Sequence, residues 1–220
     1  MKTCILIPGY NESRMIGQVV TEACKIIDDV IVVDDGSKDN TAQIAQKAGA
    51  IVLIHEINKG KGAALRTGFQ YALDHGYDAV ITMDSDGQHD PKDIPGFLST
   101  IEKIGSGIII GTRMNDISTM PMIRKCSNKL TSFVSSLLAH QKIEDSQSGF
   151  RLITSDVLRA VKLETDGFEA ESEILIKASK AGFRITSVPI KTIYGEEKSK
   201  IRPMRDTYRF LKLLFRSLRW

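Results

Sequence analysis

Short apolar runs alternate with stretches of helical character along the first half of the chain. The runs lie at residues 3–8, 30–34, 50–55, 78–84 and 106–113. They are rich in β-branched residues and lack polar alternation, which is typical of strands buried on both faces of a sheet. Helices are predicted between them, at about 13–27, 40–48 and 61–75, and a fourth is predicted to begin at Pro91. This alternation predicts an α/β fold with a mostly parallel sheet flanked by helices.

The pattern changes after Arg113. A helix near 122–139 would place five apolar side chains on one stripe: Ile123, Cys126, Leu130, Phe133 and Leu137. A strand is predicted at 148–154, a helix near 169–181 and a further strand at 184–190. No internal repeat, low-complexity segment or linker is evident. We therefore expect one domain over residues 1–200 and a C-terminal extension over 201–220.

Polar clusters follow each of the first five predicted strands. They read PGYNE (8–12), DDGSKDNT (34–41), NKGKGAALRTG (58–68), DSDGQHD (84–90) and GTR (111–113). In an open parallel sheet, ligands bind beyond the carboxyl ends of the strands. The five clusters are therefore expected to converge on one crevice.

The fourth cluster crowds acids directly after an apolar run. In an extended segment Asp84 and Asp86 would share one face, and two carboxylates this close repel each other. Mg²⁺ is held in proteins by one or two carboxylates, with water and ligand phosphate oxygens completing its shell. Gln88 offers a further oxygen. The alternative is a solvated acidic turn in which Asp90 caps a helix, but the position after a buried strand favours a metal–diphosphate site.

Two other loops allow more than one interpretation. The residues of DDGSKDNT are common in turns and helix caps, and Asn40 or Thr41 could cap the next helix. Two adjacent acids at a strand end could instead accept hydrogen bonds from a nucleotide base or ribose. GKGAAL (60–65) lacks the last glycine of a dinucleotide fingerprint and is not a Walker A loop. Lys59, Lys61 and Arg66, in and beside this stretch, could approach a phosphate across a helix N-terminus, or the loop could simply be solvated.

Composition sets limits on the class of protein. The 220 residues include 42% hydrophobic and 26% charged residues, as in ordinary globular proteins. No apolar stretch is long enough for a membrane span, and the N-terminal run is too short for a signal peptide, so residence in the cytoplasm is expected. The three cysteines lie far apart, which favours reduced, buried thiols over a disulfide framework.

Positive charge is concentrated in the C-terminal extension. Residues 200–220 hold seven bases and one acid, whereas the net charge of the whole chain is +3, so no nucleic-acid footprint is supported. The bases Arg209, Lys212, Arg216 and Arg219 recur at helical spacing, and four apolar residues take the opposite side: Phe210, Leu211, Leu214 and Leu218. This pattern is typical of an interfacial helix on anionic lipid. A helix packed on the protein's own core or on a second subunit is the alternative.

Taken in order, these motifs resemble the family 2 glycosyltransferases of the GT-A fold. The closest similarity is to dolichol-phosphate mannose synthases and related polyprenyl-phosphate sugar transferases. The resemblance covers roughly residues 1–200 and depends on the ordered set IPGYNE, VVDDGSKDNT, NKGKGAALRTGF, MDSDGQHDP, GTR, DSQSGFR and YGEEKSKI. It implies a Rossmann-like, mostly parallel mixed sheet flanked by helices. Lys191 and Thr192 stand where the synthases place an arginine.

The resemblance also implies roles for individual residues. The nucleotide would contact Pro8, Tyr10, Glu12, Val33 and Asp35, and the donor diphosphate would lie along Asp84, Ser85 and Asp86. Asp84, Asp86 and Gln88 would bind Mg²⁺ or Mn²⁺. Arg113 would contact donor or acceptor phosphates, Arg124 the acceptor phosphate and Lys200 the donor. Asp86, Arg113 and Arg124 would be the catalytic residues.

The reaction implied is a displacement at the anomeric carbon of a nucleotide-sugar. A lipid phosphate, of polyprenyl or dolichyl type, would attack and invert the configuration. The donor could be of the GDP-mannose or the UDP-glucose type, and the oligomeric state stays open. A hydroxyl acceptor would need a base, for which Asp145 is the candidate by resemblance; its alternative role is to cap a loop. A non-catalytic module and a nucleotidyltransferase are further alternatives that fit the motifs less well. The enzyme would work in the cytoplasm, peripheral to the inner face of a membrane.

Overall fold

The computed structural model describes residues 1–113, 122–191, 203–217 and 220. In the helix that begins at Met122, side chains are described from residue 128 onward, and in the helix that begins at Pro203, from residue 208 onward. The strands are β1 (Thr3–Gly9), β2 (Val30–Asp34), β3 (Ile51–Ile54), β4 (Ala79–Thr82), β5 (Gly107–Thr112), β6 (Arg151–Thr154) and β7 (Arg184–Pro189). The helices are α1 (Ile16–Cys24), α2 (Thr41–Lys47), α3 (Lys61–Asp74), α4 (Ile94–Ile104), α5 (Met122–Ala139), α6 (Ser155–Ala160), α7 (Ala170–Lys180) and α8 (Pro203–Ser217).

The described strands form one sheet in the order β3-β2-β1-β4-β6-β5-β7. All neighbouring pairs are parallel except those of β6, which runs antiparallel to both β4 and β5. The expected mostly parallel, mixed sheet is confirmed. Short α6 was not predicted from the sequence, and the direction of β6 could not be.

Alternate residues of each central strand enter separate cores on the two faces of the sheet. In β1, Cys4 and Leu6 join one core, while Ile5 and Ile7 join the other. Helices α3, α6 and α7 cover the first face, and α1, α2 and α4 cover the second. This period of two explains why the apolar runs show no polar alternation.

Strand β3 departs from the expectation that every apolar run is buried on both faces. It is the edge strand, and Ile51 and Ile54 are 37% and 66% exposed. The prediction that the apolar run 50–55 is buried on both faces was therefore wrong for this strand.

The long helices of the second half contain exposed apolar side chains. Helix α5 has the predicted bounds, but its stripe of Leu130, Phe133 and Leu137 faces solvent. Helix α8 covers part of the predicted C-terminal helix, and buries Leu213 and Ser217. Leu218 and Arg219 lie outside the described residues. In the described part of the chain, no helix has both the length and the hydropathy of a membrane span.

Candidate active site

The polar loops after β1 and β2 are tied together by hydrogen bonds. The backbone N–H of Asn11 donates to Ser37 Oγ at 2.8 Å, and Asn11 Oδ1 accepts from Lys38 N at 2.8 Å. Buried Glu12 donates its backbone N–H to Thr41 Oγ1 at 2.8 Å. Asn11 has φ +53°, in the left-handed region that asparagine tolerates better than most residues. The predicted convergence of these two clusters is confirmed.

The loop after β3 is held by buried Asp35. Asp35 Oδ1 lies 2.7 Å from His55 Nδ1 and accepts from Lys59 N at 2.9 Å, while Oδ2 accepts from Gly60 N at 2.7 Å. The other ring nitrogen of His55 lies 2.9 Å from Thr67 Oγ1. Both oxygens of Asp35 therefore bind within the protein, and its proposed contact with the nucleotide stays a prediction.

The acidic pair lies in a turn rather than in an extended segment. Strand β4 ends at Thr82, and residues 85–87 form the turn. The argument that alternation along a strand brings Asp84 and Asp86 together was therefore wrong in its geometry. Asp86 Oδ1 accepts from the backbone N–H of Gln88 at 3.0 Å, which closes the turn around the acids. Asp90 accepts from Lys92 N at 3.0 Å and caps the 3-10 helix Pro91–Asp93, the role that the alternative interpretation of this segment gave it.

Lys61, the first residue of α3, supplies the positive charge beside Asp84. Its Nζ lies 2.5 Å from Asp84 Oδ1 and 2.6 Å from Glu171 Oε1. Burial alone would raise the pKa of Asp84, but the positive charge of Lys61 outweighs this effect and holds the pKa well below its usual value. Burial lowers the pKa of Lys61, and the two carboxylates outweigh that effect and raise it. Lys61 is therefore a fixed cation at the centre of the crevice.

Asp86 and His89 have pKa values shifted toward their neutral forms. Burial raises the pKa of Asp86, and the negative charge of Asp84 raises it further. Burial lowers the pKa of His89 more than the two acids raise it. The ring of His89 stacks on Phe150 at 5.0 Å, and its Nδ1 accepts from Asp84 N at 3.1 Å. His89 thus orients the acidic turn as a neutral group.

The segment before β6 packs against the acidic turn. A Cβ on Gly149 would lie 2.6 Å from both carboxylate oxygens of Asp84, so only a hydrogen side chain leaves them in place. Arg151 is fully buried and donates to three carbonyls, of Ser146, Ser148 and Glu171. These bonds fix the loop that presents Gly149.

Arg113 follows β5 and pairs with Asp145. Its Nε and Nη2 lie 2.8 and 2.9 Å from the two oxygens of Asp145, and Asn128 Nδ2 donates to Asp145 Oδ1 at 2.9 Å. Asp145 has no exposed surface, and although burial raises its pKa, the bonds from Arg113 outweigh this and lower it. Asp145 therefore holds Arg113 in position and is poorly placed to accept a proton from a substrate.

The oxygens at the acidic turn suit a hard divalent cation. Within the described ranges, no three His, Cys, Asp or Glu side chains come together in a way that could hold a metal by themselves. Magnesium needs only one or two carboxylates when ligand phosphates complete its shell. The half-buried, mutually repelling pair Asp84 and Asp86 meets that requirement.

The remaining predicted residues occupy varied positions. Pro8 lines a small cavity beside Lys61 and Asp84, and Ser85 is buried. Val33 is fully buried in the core, so a nucleotide could reach its backbone only. Tyr10 is half-buried at the same edge. The side chain of Arg124 and all of Lys200 lie outside the described residues.

Sequence reasoning missed Glu171, Gly149 and Asn128. Glu171 is 110 positions from Lys61, and no local motif marks it. Gly149 and Asn128 lie in segments singled out for other reasons, and only the fold shows that they contact Asp84 and Asp145.

Two named glycosyltransferases are similar to this chain in sequence. A dolichyl-phosphate N-acetylglucosaminyltransferase of Methanococcus voltae, named for UDP-N-acetylglucosamine, is 36% identical over 87% of this chain and 86% of its own. An undecaprenyl-phosphate mannosyltransferase of Micrococcus luteus is 29% identical over 89% of this chain and 85% of its own.

A solved structure shares the fold. Glucosyl-3-phosphoglycerate synthase of Mycobacterium tuberculosis, crystallised with Mn²⁺, UDP and phosphoglyceric acid, superposes with a TM-score of 0.75 at 19% identity. The match covers 99% of this chain and 77% of that one. The GT-A fold expected from the sequence is confirmed. The family profile described as glycosyl transferase family 2 matches residues 4–161, and the chain belongs to that family of glycosyltransferases.

Proposed function

We propose that this enzyme transfers a sugar from a nucleotide-sugar to the phosphate of a polyprenyl or dolichyl lipid, with inversion at the anomeric carbon. The observation that carries the proposal is the pairing of opposite charges along one sheet edge. Asp84 pairs with Lys61, Asp86 lies in the same turn, and the charge of Arg113 helps to lower the pKa of Asp84. Such an edge offers a site for a cation-bound diphosphate next to a site for an anionic acceptor.

The named relatives support the acceptor class and leave the sugar open. The names of the two transferases above state dolichyl phosphate and undecaprenyl phosphate. The sugars in the two names differ, since one name states N-acetylglucosamine and the other mannose. We therefore propose a lipid phosphate acceptor and test donors of both the UDP-sugar and the GDP-mannose type.

Donor binding is proposed at the loops after β1, β2 and β4. The nucleoside would contact five residues: Pro8, Tyr10, Glu12, Val33 and Asp35. The diphosphate would lie along Asp84, Ser85 and Asp86, with Lys200 also at the donor. Asp84, Asp86 and Gln88 would hold Mg²⁺ or Mn²⁺, which when bound neutralises charge that develops on the leaving diphosphate. The fold neighbour crystallised with Mn²⁺ and UDP supports a divalent cation here.

Acceptor binding is proposed at Arg113 and Arg124. A phosphate oxygen attacks the anomeric carbon, the bond from that carbon to the diphosphate breaks, and nucleoside diphosphate leaves. The acceptor phosphate is already anionic at neutral pH, so the reaction requires no general base. A guanidinium suits a phosphate because it donates two parallel hydrogen bonds.

A hydroxyl acceptor is the second candidate, and the geometry at Asp145 weighs against it. Such an acceptor needs a base within hydrogen-bond reach of its proton. Asp145 has no exposed surface, and both of its oxygens accept from Arg113, with Asn128 donating a further bond. The lipid phosphate needs no such base and is therefore the better fit.

The test is a transfer assay with Asp86→Asn. Purified enzyme is given nucleotide-sugars and polyprenyl phosphate in detergent, with Mg²⁺ or Mn²⁺ and with EDTA. Loss of one diphosphate-site carboxylate should lower the rate by about 100-fold or more. Asp90→Asn is the matched control, because Asn also caps helices well and Asp90 lies outside the acidic pair.

Two results would overturn the proposal. One is transfer by Asp86→Asn at the wild-type rate in EDTA, which removes the metal role. The other is transfer to soluble hydroxyl acceptors alone, which removes the lipid phosphate.

A further inference from the structure

Helix α5 turns its polar side toward the protein and its apolar side toward solvent. From residue 128 onward, its inward positions are small or polar: Asn128, Ser132, Ser135 and Ala139 are all buried. Its outward positions hold Leu130, Phe133 and Leu137, which are 64%, 68% and 65% exposed and which we call the α5 stripe. Amphipathic helices of globular proteins normally show the opposite orientation.

Hydrogen bonds on the inward side fix this orientation. Asn128 donates to Asp145, Ser132 Oγ donates to Asn128 Oδ1 at 3.1 Å, and Ser146 N donates to Ser132 Oγ at 2.9 Å. Rotating α5 to bury the stripe would break these bonds and leave Asp145 a buried carboxylate with fewer partners. The hydrogen bonds that hold Asp145 therefore also keep the α5 stripe exposed.

The charge around the α5 stripe is positive. Residues 122–139 contain three bases, Arg124, Lys125 and Lys129, and no acid. Lys129 is exposed beside Leu130, and exposed Lys142, just beyond the helix, is paired with Glu144 at 2.9 Å. An apolar stripe with cations beside it is complementary to an anionic lipid surface.

Helix α8 exposes a similar face close by. Tyr208, Leu211 and Phe215 recur on one side of α8 and are 68%, 48% and 74% exposed. The last residues of both helices meet the end of α7. Ser179 Oγ donates to the carbonyl of Ala139, and Lys180 Nζ donates to the carbonyl of Ser217 at 2.6 Å.

We propose that the α5 stripe inserts into the interfacial region of an anionic bilayer and is a membrane contact separate from α8. Three side chains of this size expose roughly 300–400 Å². That is about half of what each partner of a stable protein pair buries, which favours a lipid surface over a second copy. The role of this contact depends on the proposed function: α5 holds Asp145 through Asn128, and Asp145 holds Arg113, so the acceptor site is tied to the membrane-facing helix.

The test is vesicle flotation of Phe133→Ser/Leu137→Ser in the full chain. Vesicles of phosphatidylcholine with phosphatidylglycerol, and of phosphatidylcholine alone, are used without donor or acceptor. Removing two inserted apolar side chains should lower partition into anionic vesicles by about ten-fold or more. The melting temperature should stay near that of the wild type, because neither side chain is buried.

Ile54→Ser is the matched control. Ile54 is 66% exposed, within the range of 64–68% for the three stripe residues, but it lies in β3 at the edge of the sheet farthest from β7. Its flotation should equal that of the wild type. A second readout is Phe133→Trp combined with Trp220→Phe, which leaves one tryptophan whose emission should shift to the blue on anionic vesicles and be quenched by brominated lipid.

The outcomes separate this inference from the proposed function. Flotation of Phe133→Ser/Leu137→Ser equal to the wild type would overturn the inference whatever the transfer assay gives. A dimer in light scattering that these substitutions convert to monomer, with flotation unchanged, would also overturn it and identify the stripe as a protein interface. If Phe133→Ser/Leu137→Ser lowers flotation as expected but the wild type transfers sugar to no lipid phosphate, only the proposed function is overturned.

Discussion

At the scale of single residues, the acidic turn is balanced by partners from distant parts of the chain. Lys61 is shared between Asp84 and Glu171, and Gly149 leaves room for the Asp84 carboxylate. The pairing lowers the pKa of Asp84, while burial and the charge of Asp84 raise that of Asp86. One acid is therefore charged before any ligand arrives, and the other gains most from a cation.

Gly149→Ala should displace the Asp84 side chain, because the backbone of Gly149 is not in the left-handed region and the added methyl conflicts only with that carboxylate. The added methyl would fall 2.6 Å from both carboxylate oxygens, so Asp84 must move and its contact with Lys61 must change. We expect sugar transfer to fall by about ten-fold or more, with a loss in unfolding free energy of about 1–3 kcal/mol typical of overpacking. Transfer rate and thermal unfolding measure the two effects.

Gly96→Ala provides the comparison for that change. A Cβ at Gly96 meets nothing within 4 Å, and the residue lies inside α4. Alanine there should leave transfer unchanged and add up to about 1 kcal/mol of stability through helix propensity. Equal activity of the two variants would show that Asp84 tolerates the methyl and that its position is not critical.

The sequence could reveal the acidic pair but not its partners. Asp84 and Asp86 stand out because they follow an apolar run, and that signal is local. Lys61 was considered only as one base in a loop, because its bond to Glu171 spans 110 positions. For Asp145 the resemblance offered a base, whereas the structure shows a buried partner of Arg113.

At the scale of elements, α7 contributes a buried acid that anchors the segment leading into it. Glu173 has no exposed surface and accepts from the backbone N–H groups of Glu164 and Thr165. Its side chain also lies 2.6 Å from Lys177 Nζ, one turn along the helix. Burial raises the pKa of Glu173, but these bonds outweigh it and bring the pKa below its ordinary value.

Glu173→Gln should therefore destabilise the protein at neutral pH and less so in acid. The lowered pKa means that the ionised form favours folding, so its contribution is full above the unfolded pKa of about 4.3 and disappears as pH falls through the folded pKa. We expect a loss of about 2 kcal/mol at pH 7, because buried bonds to a charged acceptor are lost. Urea unfolding from pH 7 down to pH 3 measures the difference.

Exposed Glu102 in α4 gives the control substitution, Glu102→Gln, which should change stability little at any pH. A Glu173→Gln deficit that stayed constant down to pH 3 would contradict the role of ionised Glu173. It would point to the shape of the side chain instead.

Element positions were largely predictable, and element orientations were not. The bounds of α5 follow from its apolar spacing, yet its apolar stripe faces outward because Asn128 and Ser132 are satisfied inside. Periodicity identifies a face without saying which face is buried. In the same way, the apolar run of β3 did not show that the strand lies at an edge.

At the scale of the whole molecule, the reversed direction of β6 explains why residues that precede a strand also line the site. The parallel strands present their carboxyl ends at the site edge, so β1, β2 and β4 contribute the loops that follow them. Because β6 runs the other way between β4 and β5, its beginning lies at that edge. Asp145 and Gly149 precede β6 and reach the site for this reason. No local feature of DSQSGFR carries this information.

The last prediction concerns helix α8. Helix α8 packs on the body through Leu213, which is 1% exposed, and leaves Tyr208 and Phe215 outside. Deleting residues 204–220 would remove the proposed membrane contact and also uncover the surface under Leu213, so the deletion would combine two effects. Tyr208→Ser/Phe215→Ser removes only the exposed side chains and should lower flotation with anionic vesicles by about ten-fold or more.

The same variant should keep donor binding, since residues 208 and 215 lie outside the proposed nucleotide and metal contacts. A thermal-shift screen with nucleotide-sugars and Mn²⁺ should give equal stabilisation in the variant and the wild type, because a ligand selective for the folded state raises the melting temperature. The α5 and α8 double variants combined should lose flotation by about the product of their separate factors, as independent contacts do. Full flotation by the α8 variant would instead mean that its exposed face binds a second subunit, and light scattering of wild type and variant would then show the difference in mass.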